Sequence, residues 1–331
     1  MPRTIALLTA PWINTPLDDF ARRASEWGYQ ALELACGGEH FEVQRALAED
    51  EYCPKLLAQL EKEELQVPAL NNPAIGQAVC GPVDARYAAI LPDYVWGDGD
   101  PARVQARAAE EMQATIRAAM KLGANVVSGF TGAPIAAGWL DFPPTSKEVR
   151  ASSLKEFARR WNPILDACKE CGVRFAQELH AGQVAYDLYS AEAVLDALKG
   201  REEFGFALDP SQFLWQGADP VEFIRRFPER IYHVHMRDAA VTLNGRSSIL
   251  GSQLPNGDPR RGWNYRSPGH GGVDWEAFIR ALHEINYEGA LSVAWEDAGM
   301  EPDYGAADAC QFVKRLDFPA QRRLLAAPFE E

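Results

Sequence analysis

Carboxylates and histidines stand at the ends of four apolar segments in the second half of the chain. Glu178 closes RFAQE, Asp209 closes FGFALD and Glu296 closes LSVAWE. His233 and His235 alternate within IYHVHM, so both lie on one face of an extended strand. Burying a carboxylate costs free energy unless it is paired or bound to a metal. Because four successive segments carry such groups, we predict a divalent-metal site formed by Glu178, Asp209, His235 and Glu296.

The mixture of carboxylate and imidazole ligands indicates which metals fit. Oxygen ligands outnumber nitrogen ligands, which favours Mn²⁺, while Mg²⁺, Co²⁺ and Zn²⁺ are also compatible. An alternative role for Asp209 is to cap the turn that begins at Pro210 and Ser211, since Asp is common at such turns. One of the two histidines could equally be a core residue. We choose His235 as the ligand because it lies nearer the carboxyl end of its strand.

Short apolar segments alternate with longer amphipathic stretches along the whole chain. This alternation predicts an α/β protein in which helices connect parallel strands. Eight repeats of it predict one domain over residues 1–331, a single (β/α)₈ TIM barrel. The alternative is an open doubly wound sheet, which normally has a glycine-rich phosphate turn that this sequence lacks. The predicted strands are residues 4–9, 31–36, 67–71, 125–130, 173–179, 204–209, 231–236 and 290–296.

Three connections are longer than a barrel requires, and they cover residues 72–100, 131–145 and 237–272. Each follows a predicted strand, so we expect all three at the carboxyl-terminal face, where barrel enzymes build their active sites. Long connections without secondary structure are uncommon unless they serve a function. We therefore expect them to form a lid, a subunit contact or both.

Composition narrows the range of partners and compartments. The chain has 331 residues and a formal net charge of -14, which disfavours nucleic acid and anionic membranes. No apolar run is long enough to cross a bilayer, and the short apolar stretch near the amino terminus is interpreted as a strand rather than a signal peptide. Six scattered cysteines suit a reducing compartment. We expect a cytoplasmic enzyme that acts on a small molecule.

Four motifs coincide with the predicted strand ends: Glu178-x-His180, Asp209-Pro210-Ser211, His233-x-His235-x-x-Asp238 and Val293-Ala294-Trp295-Glu296-Asp297. Together they resemble the xylose-isomerase-like barrel superfamily, which includes sugar isomerases, sugar 3-epimerases, inosose dehydratase and metal-dependent endonucleases. The resemblance runs along the whole chain. Further segments resemble a bacterial branch of sugar phosphate isomerases/epimerases that is similar to the alpha subunits of C-glycoside deglycosidases: LACGGEHF, VWGDGD, GFTGAP and DPRRGW.

The resemblance implies Glu178, Asp209 and His235 as metal ligands, and three other positions depart from the family's pattern. Gln212 stands where the family often has a histidine, and Gln183 where near relatives often have a glutamate. The family's usual glutamate on the eighth strand falls on Ala294. We expect Glu296 to reach the metal from a shifted depth, because residues 294 and 296 share one face of a strand.

The activity implied by the resemblance is a metal-dependent isomerase or epimerase of a sugar or keto-sugar. The metal would chelate the carbonyl and hydroxyl oxygens while a proton leaves the adjacent carbon. Glu178 or Glu296 would be the base, and His180 would relay the proton or orient the base. One alternative is a lyase subunit that cleaves 3-keto-glycosides by β-elimination. Another is a barrel that binds metal or ligand without turnover.

Further side chains near the predicted site are candidates for substrate binding. They are polar residues on strand ends and long connections, namely Glu39, His40, Gln183, Gln212, Arg237 and Arg261. The expected partner is a small-molecule carbohydrate, and the chain is expected to form a homo-oligomer. The lyase hypothesis adds a small partner subunit.

Overall fold

Eight parallel strands close into a barrel in the computed structural model, which describes residues 2–135, 141 and 143–319. The predicted (β/α)₈ TIM barrel is therefore confirmed. The barrel strands are β1 (Ile5–Leu8), β2 (Ala31–Ala35), β3 (Gln66–Asn71), β4 (Val126–Gly129), β5 (Arg174–Glu178), β6 (Phe204–Leu208), β7 (Ile231–Met236) and β10 (Leu291–Val293). Outside the barrel, β8 (Asp238–Val241) pairs antiparallel with β9 (Trp263–Arg266).

Helices surround the barrel and fill most of the connections. They are α1 (Leu17–Trp27), α2 (Val43–Ala48), α3 (Tyr52–Glu61), α4 (Pro73–Cys80), α5 (Asp93–Trp96), α6 (Pro101–Leu122), α7 (Lys147–Cys171), α8 (Leu188–Ala197), α9 (Pro210–Gln216), α10 (Pro220–Arg226), α11 (Trp275–Glu284) and α12 (Pro302–Leu316). Short 3₁₀ turns cover Ala10–Trp12, Ala85–Ala89 and Gly251–Gln253. Among the helices described, none has the length and apolar character that a membrane crossing requires.

An aromatic cluster holds β5 and β6 against α7. The rings of Trp161 and Phe175 have centroids 4.5 Å apart, and Phe204 lies edge-on to Phe157 and Phe206. All five side chains are fully buried. Each aromatic pair adds roughly 0.5–1.5 kcal/mol to the free energy of burial. This packing fixes the two strands whose carboxyl ends carry Glu178 and Asp209.

Two of the long connections contain more structure than their composition indicates. The segment 72–100 begins with α4, where Pro73 occupies the first helical turn and costs no hydrogen bond there. The segment 237–272 contains the β8–β9 hairpin, which packs on α9 through the stacked rings of Trp215 and Trp263, 4.4 Å apart. Residues 136–140 and 142 of the predicted connection 131–145 lie outside the described residues.

The predicted last strand is too long. The ladder of β10 ends at Val293 instead of residue 296, although Ala294 still donates a backbone hydrogen bond to the Met236 carbonyl oxygen. The partner strand β7 ends at Met236, so the later residues have no ladder to continue on that side. Ala294 and Glu296 therefore do not share a strand face, contrary to the expectation from a two-residue period.

Asp238 ties the end of β7 to the segment that leads into α11. Its carboxylate accepts hydrogen bonds from the backbone N–H groups of Ala239, Gly269, Gly271 and Val273, and from the Trp275 indole. The residue is buried. A Cβ atom at Gly271 would lie 2.2 Å from Asp238 Oδ1, so this approach requires glycine. Asp238 is therefore a structural anchor rather than a solvated loop charge.

The Asp238→Asn variant should lower the free energy of unfolding by roughly 3 kcal/mol, because the new NH₂ group would face N–H donors that lose their acceptor. Urea-induced unfolding followed by circular dichroism measures this change. Asp274→Asn is the matched control, since this exposed residue caps α11 and Asn caps a helix as well as Asp does. Equal losses in the two variants would contradict the anchoring role.

Candidate metal centre

Glu178, Asp209 and His235 meet at the carboxyl ends of β5, β6 and β7. One ligand atom of each lies within 4.8 Å of the other two, and all three side chains are buried. The structure thus brings together three of the four side chains predicted as metal ligands. Among the described residues, one further group of this kind occurs, and it consists of Glu33, His233 and His235.

The two oxygens of Asp209 have different partners. Oδ1 caps α9 by accepting hydrogen bonds from the Ser211 N–H (2.9 Å) and the Ser211 hydroxyl (2.6 Å). Pro210 occupies the first helical turn, where its missing N–H leaves no group unpaired. Oδ2 instead faces Glu178 and Arg237 across the barrel mouth. The turn-capping role and the ligand role of Asp209 are therefore compatible.

Glu33 supports the two histidines from inside the barrel, on β2. His233 Nε2 lies 2.8 Å and His235 Nε2 3.1 Å from Glu33 Oε2, and the hydroxyls of Ser292 and Ser128 also donate to this carboxylate. Burial raises the pKa of the Glu33 carboxyl, but the two histidines outweigh it and hold that pKa well below its ordinary value. Sequence reasoning missed Glu33, although an acid inside the apolar strand ALELA was a signal.

Hydrogen bonding to Glu33 sets the orientation of the His235 ring. An ionised carboxylate only accepts hydrogen bonds, so His235 Nε2 must carry a proton. Nδ1 is then directed at Glu178 Oε2, 3.5 Å away, and it is buried without a hydrogen-bond partner. Burial lowers the pKa of this imidazole, but the carboxylates of Glu33 and Glu178 raise it to about 10. A cation bound at Nδ1 would replace the proton there.

Arg237 lies among the carboxylates at the mouth of the barrel. Its Nη2 is 2.6 Å from Glu178 Oε1 and 2.6 Å from Asp209 Oδ2, and its Nη1 is 3.4 Å from Glu296 Oε2. The guanidinium carbon lies 4.8 Å from the centroid of the Tyr265 ring. Burial disfavours the ionised form of Glu178, yet Arg237 and His235 lower the pKa of this carboxyl to about 2.

Glu296 lies beside the cluster but does not join the three-residue group. Its Oε2 faces Arg237, and its Oε1 accepts a hydrogen bond from Asn256 in the connection 237–272. The side chain is 37% exposed, in contrast to the fully enclosed Glu178 and Asp209. Burial of the carboxyl raises its pKa. Glu296, predicted as the fourth ligand, therefore lies on the side of the metal centre that is open to solvent.

Gln212 connects the centre to the β8–β9 hairpin. Its Nε2 donates to the Tyr265 hydroxyl (2.8 Å) and lies 3.4 Å from Glu178 Oε1, while its Oε1 accepts from the Trp215 indole. His180 follows Glu178 by two residues, packs on the Phe130 ring, and has a pKa lowered by burial. Both predicted residues therefore border the centre.

Other candidates for substrate binding have structural partners elsewhere. The His40 ring stacks on Phe20, and its Nε2 contacts the Thr15 carbonyl oxygen. Glu39 is exposed on the turn just before it. Gln183 Oε1 accepts hydrogen bonds from the backbone N–H groups of residues 131 and 132. Arg261 lies over the Trp263 ring and donates to a loop carbonyl oxygen. The contacts of His40, Glu39 and Gln183 do not involve the carboxylate cluster, whereas the charge of Arg261 acts on Glu296 and opposes the rise of its pKa.

Comparison with known proteins identifies the family. Residues 21–316 match the family model described as xylose isomerase-like TIM barrel. The chain belongs to this family. The Bacillus subtilis protein YfiH is 24% identical over 326 residues, which cover 91% of this chain and 95% of YfiH. An inosose dehydratase of Clostridium perfringens is 25% identical over 142 residues, which is 43% of this chain and less than half, 47%, of the dehydratase.

Solved structures with the same fold superpose on the whole barrel. The 3-keto-D-glucoside 4-epimerase YcjR from E. coli has a TM-score of 0.65 at 13% identity, covering 95% of this chain and 99% of YcjR. D-Psicose 3-epimerase from Clostridium cellulolyticum H10 has a TM-score of 0.63 at 15% identity, covering 95% of this chain and 99% of the epimerase. The IolI protein with a bound zinc atom has a TM-score of 0.62 at 18% identity, covering 95% of this chain and 96% of IolI. The predicted resemblance is confirmed, and the named relatives agree with the prediction of an enzyme.

The residues of this xylose isomerase-like barrel fit a divalent cation. Glu178 and Asp209 each present a carboxylate oxygen, and His235 presents the buried Nδ1 that lacks a hydrogen-bond partner. Glu33 holds the opposite nitrogen of the same ring, as the outer carboxylate does at many metal-bound histidines. The donor set and its support thus satisfy the chemical requirements of such a site.

The Glu33→Gln variant should bind Mn²⁺ about 10- to 100-fold more weakly, because the amide cannot accept all four hydrogen bonds and the His235 ring loses its fixed orientation. Isothermal titration calorimetry measures the affinity. Glu111→Gln is the matched control, since this buried carboxyl on α6 contacts Tyr94 and Gln44 instead. Wild-type affinity in a folded Glu33→Gln protein would refute the orienting role.

Proposed function

We propose that this barrel is a divalent-metal-dependent isomerase or epimerase of a sugar or keto-sugar, with Mn²⁺ the favoured metal. The observation that carries the proposal is the buried group of Glu178, Asp209 and His235, in which an imidazole nitrogen without a hydrogen bond lies 3.5 Å from a Glu178 carboxylate oxygen. Membership of the family supports it, because relatives named as epimerases and dehydratases act on sugars or related inososes.

Glu178, Asp209 and His235 would hold the cation, and contacts on the far side fix Asp209 and His235. When bound, the cation supplies Lewis-acid polarisation of a substrate carbonyl. The Ser211 hydrogen bonds fix Asp209, and Glu33 fixes His235. Enclosure of these side chains keeps water away from the charged groups, which strengthens their electrostatic effect.

Glu296 is the carboxylate best suited to remove a proton from the carbon next to that carbonyl. It is the most exposed carboxylate of those that contact Arg237, so a substrate can reach it. Its raised pKa brings its basicity closer to neutral pH, where general bases work best. Asn256 holds the Oε1 atom, so Oε2, which faces Arg237 Nη1 at 3.4 Å, is the oxygen that would accept the proton. His180 borders Glu178 and would orient the substrate or relay a proton.

A β-elimination is the second candidate reaction, and the exposure of the carboxylates favours it. An epimerase must return a proton to the opposite face of the same carbon, whereas an elimination needs a base on one face only. Of the carboxylates that contact Arg237 in the described structure, Glu296 alone is open to solvent. The inosose dehydratases among the relatives are named for an elimination, the loss of water. A 3-keto-glycoside would lose its aglycone in this reaction.

The Asp209→Ala variant should lose the bound metal, because it removes the ligand oxygen on β6. Metal content after dialysis against Mn²⁺ and removal of free metal should fall from about one equivalent to near zero. Asp219→Ala is the matched control, since Asp219 also caps a helix that begins with proline, on α10. Both variants lose a helix cap worth about 1 kcal/mol. Asp209→Ala also removes the ion pair with Arg237, so metal content, rather than stability, tests the ligand role.

A wild-type protein that holds no Mn²⁺, Co²⁺, Mg²⁺ or Zn²⁺ after such dialysis would contradict the proposed function. Metal retained in full by Asp209→Ala would contradict the ligand assignment alone. Folding of each variant is checked by circular dichroism before the metal is measured.

The Glu296→Gln variant should keep its metal and lose about 10²- to 10⁴-fold in kcat, the usual contribution of a general base. The assay incubates the Mn²⁺-loaded protein with ketohexoses or 3-keto-glucosides in D₂O and follows deuterium incorporation by NMR. New epimers indicate epimerisation, and a released aglycone indicates elimination. Glu301→Gln is the control, since this residue caps α12 nearby. Unchanged exchange in Glu296→Gln would exclude it as the base.

A further inference from the structure

Arg237 bridges two of the three proposed metal ligands with one nitrogen atom. Its Nη2 lies 2.6 Å from Glu178 Oε1 and 2.6 Å from Asp209 Oδ2, while its Nε also donates to Asp209 Oδ2 at 2.7 Å. The guanidinium thus occupies the space between the carboxylates rather than a rim around them. It is the only cationic side chain in ion-pair contact with both carboxylates in the described part of the chain.

A divalent cation held by Asp209 would use Oδ2, because Oδ1 already accepts two hydrogen bonds from Ser211. Both Nη2 and Nε of Arg237 lie against that same Oδ2 atom, so a cation bound there would lie next to the guanidinium. Two positive charges at that separation repel strongly in a buried site. The guanidinium and the cation therefore cannot occupy the space between Glu178 and Asp209 at the same time.

We infer that Arg237 and the divalent cation exchange at this site, an inference that rests on the metal binding in the proposed function. Without the cation, the guanidinium neutralises Glu178 and Asp209 and keeps the barrel mouth folded. The cation binds only by displacing the guanidinium, so its measured affinity is lowered by the lost ion pairs. Arg237 is therefore a positioning residue whose location reports the metal state.

Two contacts give the displaced guanidinium a place to go. Its Nη1 already faces Glu296 Oε2 at 3.4 Å, and its carbon lies 4.8 Å from the Tyr265 ring centroid. Tyr265 belongs to the connection 237–272, and Glu296 contacts Asn256 of the same connection. Movement toward the Tyr265 ring would free Asp209 Oδ2 for the cation while a cation–π contact still holds the guanidinium. Because Glu296 is the proposed base, we expect the displaced guanidinium to rest on the ring rather than on this carboxylate.

The test compares Mn²⁺ affinity in the wild type, Arg237→Gln and Arg237→Lys by isothermal titration calorimetry. Close buried charge pairs are coupled by more than the free energy of a tenfold change in binding. We therefore expect Arg237→Gln to bind Mn²⁺ about tenfold or more tightly than the wild type. Arg237→Lys keeps the positive charge but replaces the guanidinium with an ammonium group on a shorter side chain. The Mn²⁺ affinity of this variant should fall between those of the wild type and Arg237→Gln.

Thermal unfolding supplies a second measurement that does not depend on activity. In EDTA, Arg237→Gln should unfold at a lower temperature than the wild type, because two buried carboxylates lose their counter-charge. Mn²⁺ should raise the unfolding temperature of this variant more than that of the wild type. Arg226→Gln is the matched control, since Arg226 pairs with Glu192 on the surface. It should change neither the Mn²⁺ affinity nor the shift.

The possible failures are distinguishable. A wild type without Mn²⁺ affinity overturns the proposed function and this inference together. A wild type that binds Mn²⁺, with Arg237→Gln and Arg237→Lys of equal or weaker affinity, overturns the inference alone. If Arg237→Gln folds only with Mn²⁺, the affinity of Arg237→Lys decides, and tighter binding than the wild type is required.

Discussion

The carboxylate of Glu33 accepts hydrogen bonds from side chains on three other strands, namely β4, β7 and β10. This charge lies in the barrel interior, where desolvation is costly, and it is stable there because every lone pair has a donor. The same bonds fix the rotation of both histidine rings. The geometry at the barrel mouth therefore depends on a charge one layer below it, through His235.

At the barrel mouth, carboxylates form ion pairs with Arg237, and the paired side chains of Glu178 and Asp209 are buried. Three carboxylates face one guanidinium there, and the guanidinium contacts all three. Removing one charged side chain from such a set leaves the other charges uncompensated. The loss in the free energy of unfolding therefore exceeds the contribution of a single ion pair. The aromatic cluster behind β5 and β6 prevents the strands from spreading to relieve the repulsion.

The sequence was sufficient to predict the barrel and the strand ends that carry Glu178, Asp209 and His235. Alternation of apolar segments identifies the strands, and an acid at the end of such a segment is conspicuous. The end of β10 was not predictable in this way, because it depends on where the partner strand stops. Arg237 follows β7 like any loop residue, and its position among the carboxylates results from three-dimensional packing.

The candidates for substrate binding show the same limit. His40 follows β2 closely, but the chain turns at Gly37 and Gly38, and the ring is directed at Phe20 rather than the barrel axis. Gln183 was singled out by family pattern, yet its amide ties two connections together. Proximity in sequence to a strand end therefore identified side chains near the carboxyl-terminal face of the barrel. The direction of each side chain depended on backbone turns, which the composition of the sequence does not specify.

The β8–β9 hairpin shares a small hydrophobic cluster with α9, formed by Trp215 of the helix and by Ala239, Trp263 and Tyr265 of the hairpin. Asp238 anchors the base of the hairpin, and Tyr265 reaches the mouth from outside the eight strands. Gln212 of α9 accepts a hydrogen bond from the Trp215 indole and donates one to the Tyr265 hydroxyl. A change in the packing of this cluster would therefore move Gln212 and Tyr265 together, while the ligands on the barrel strands stay in place.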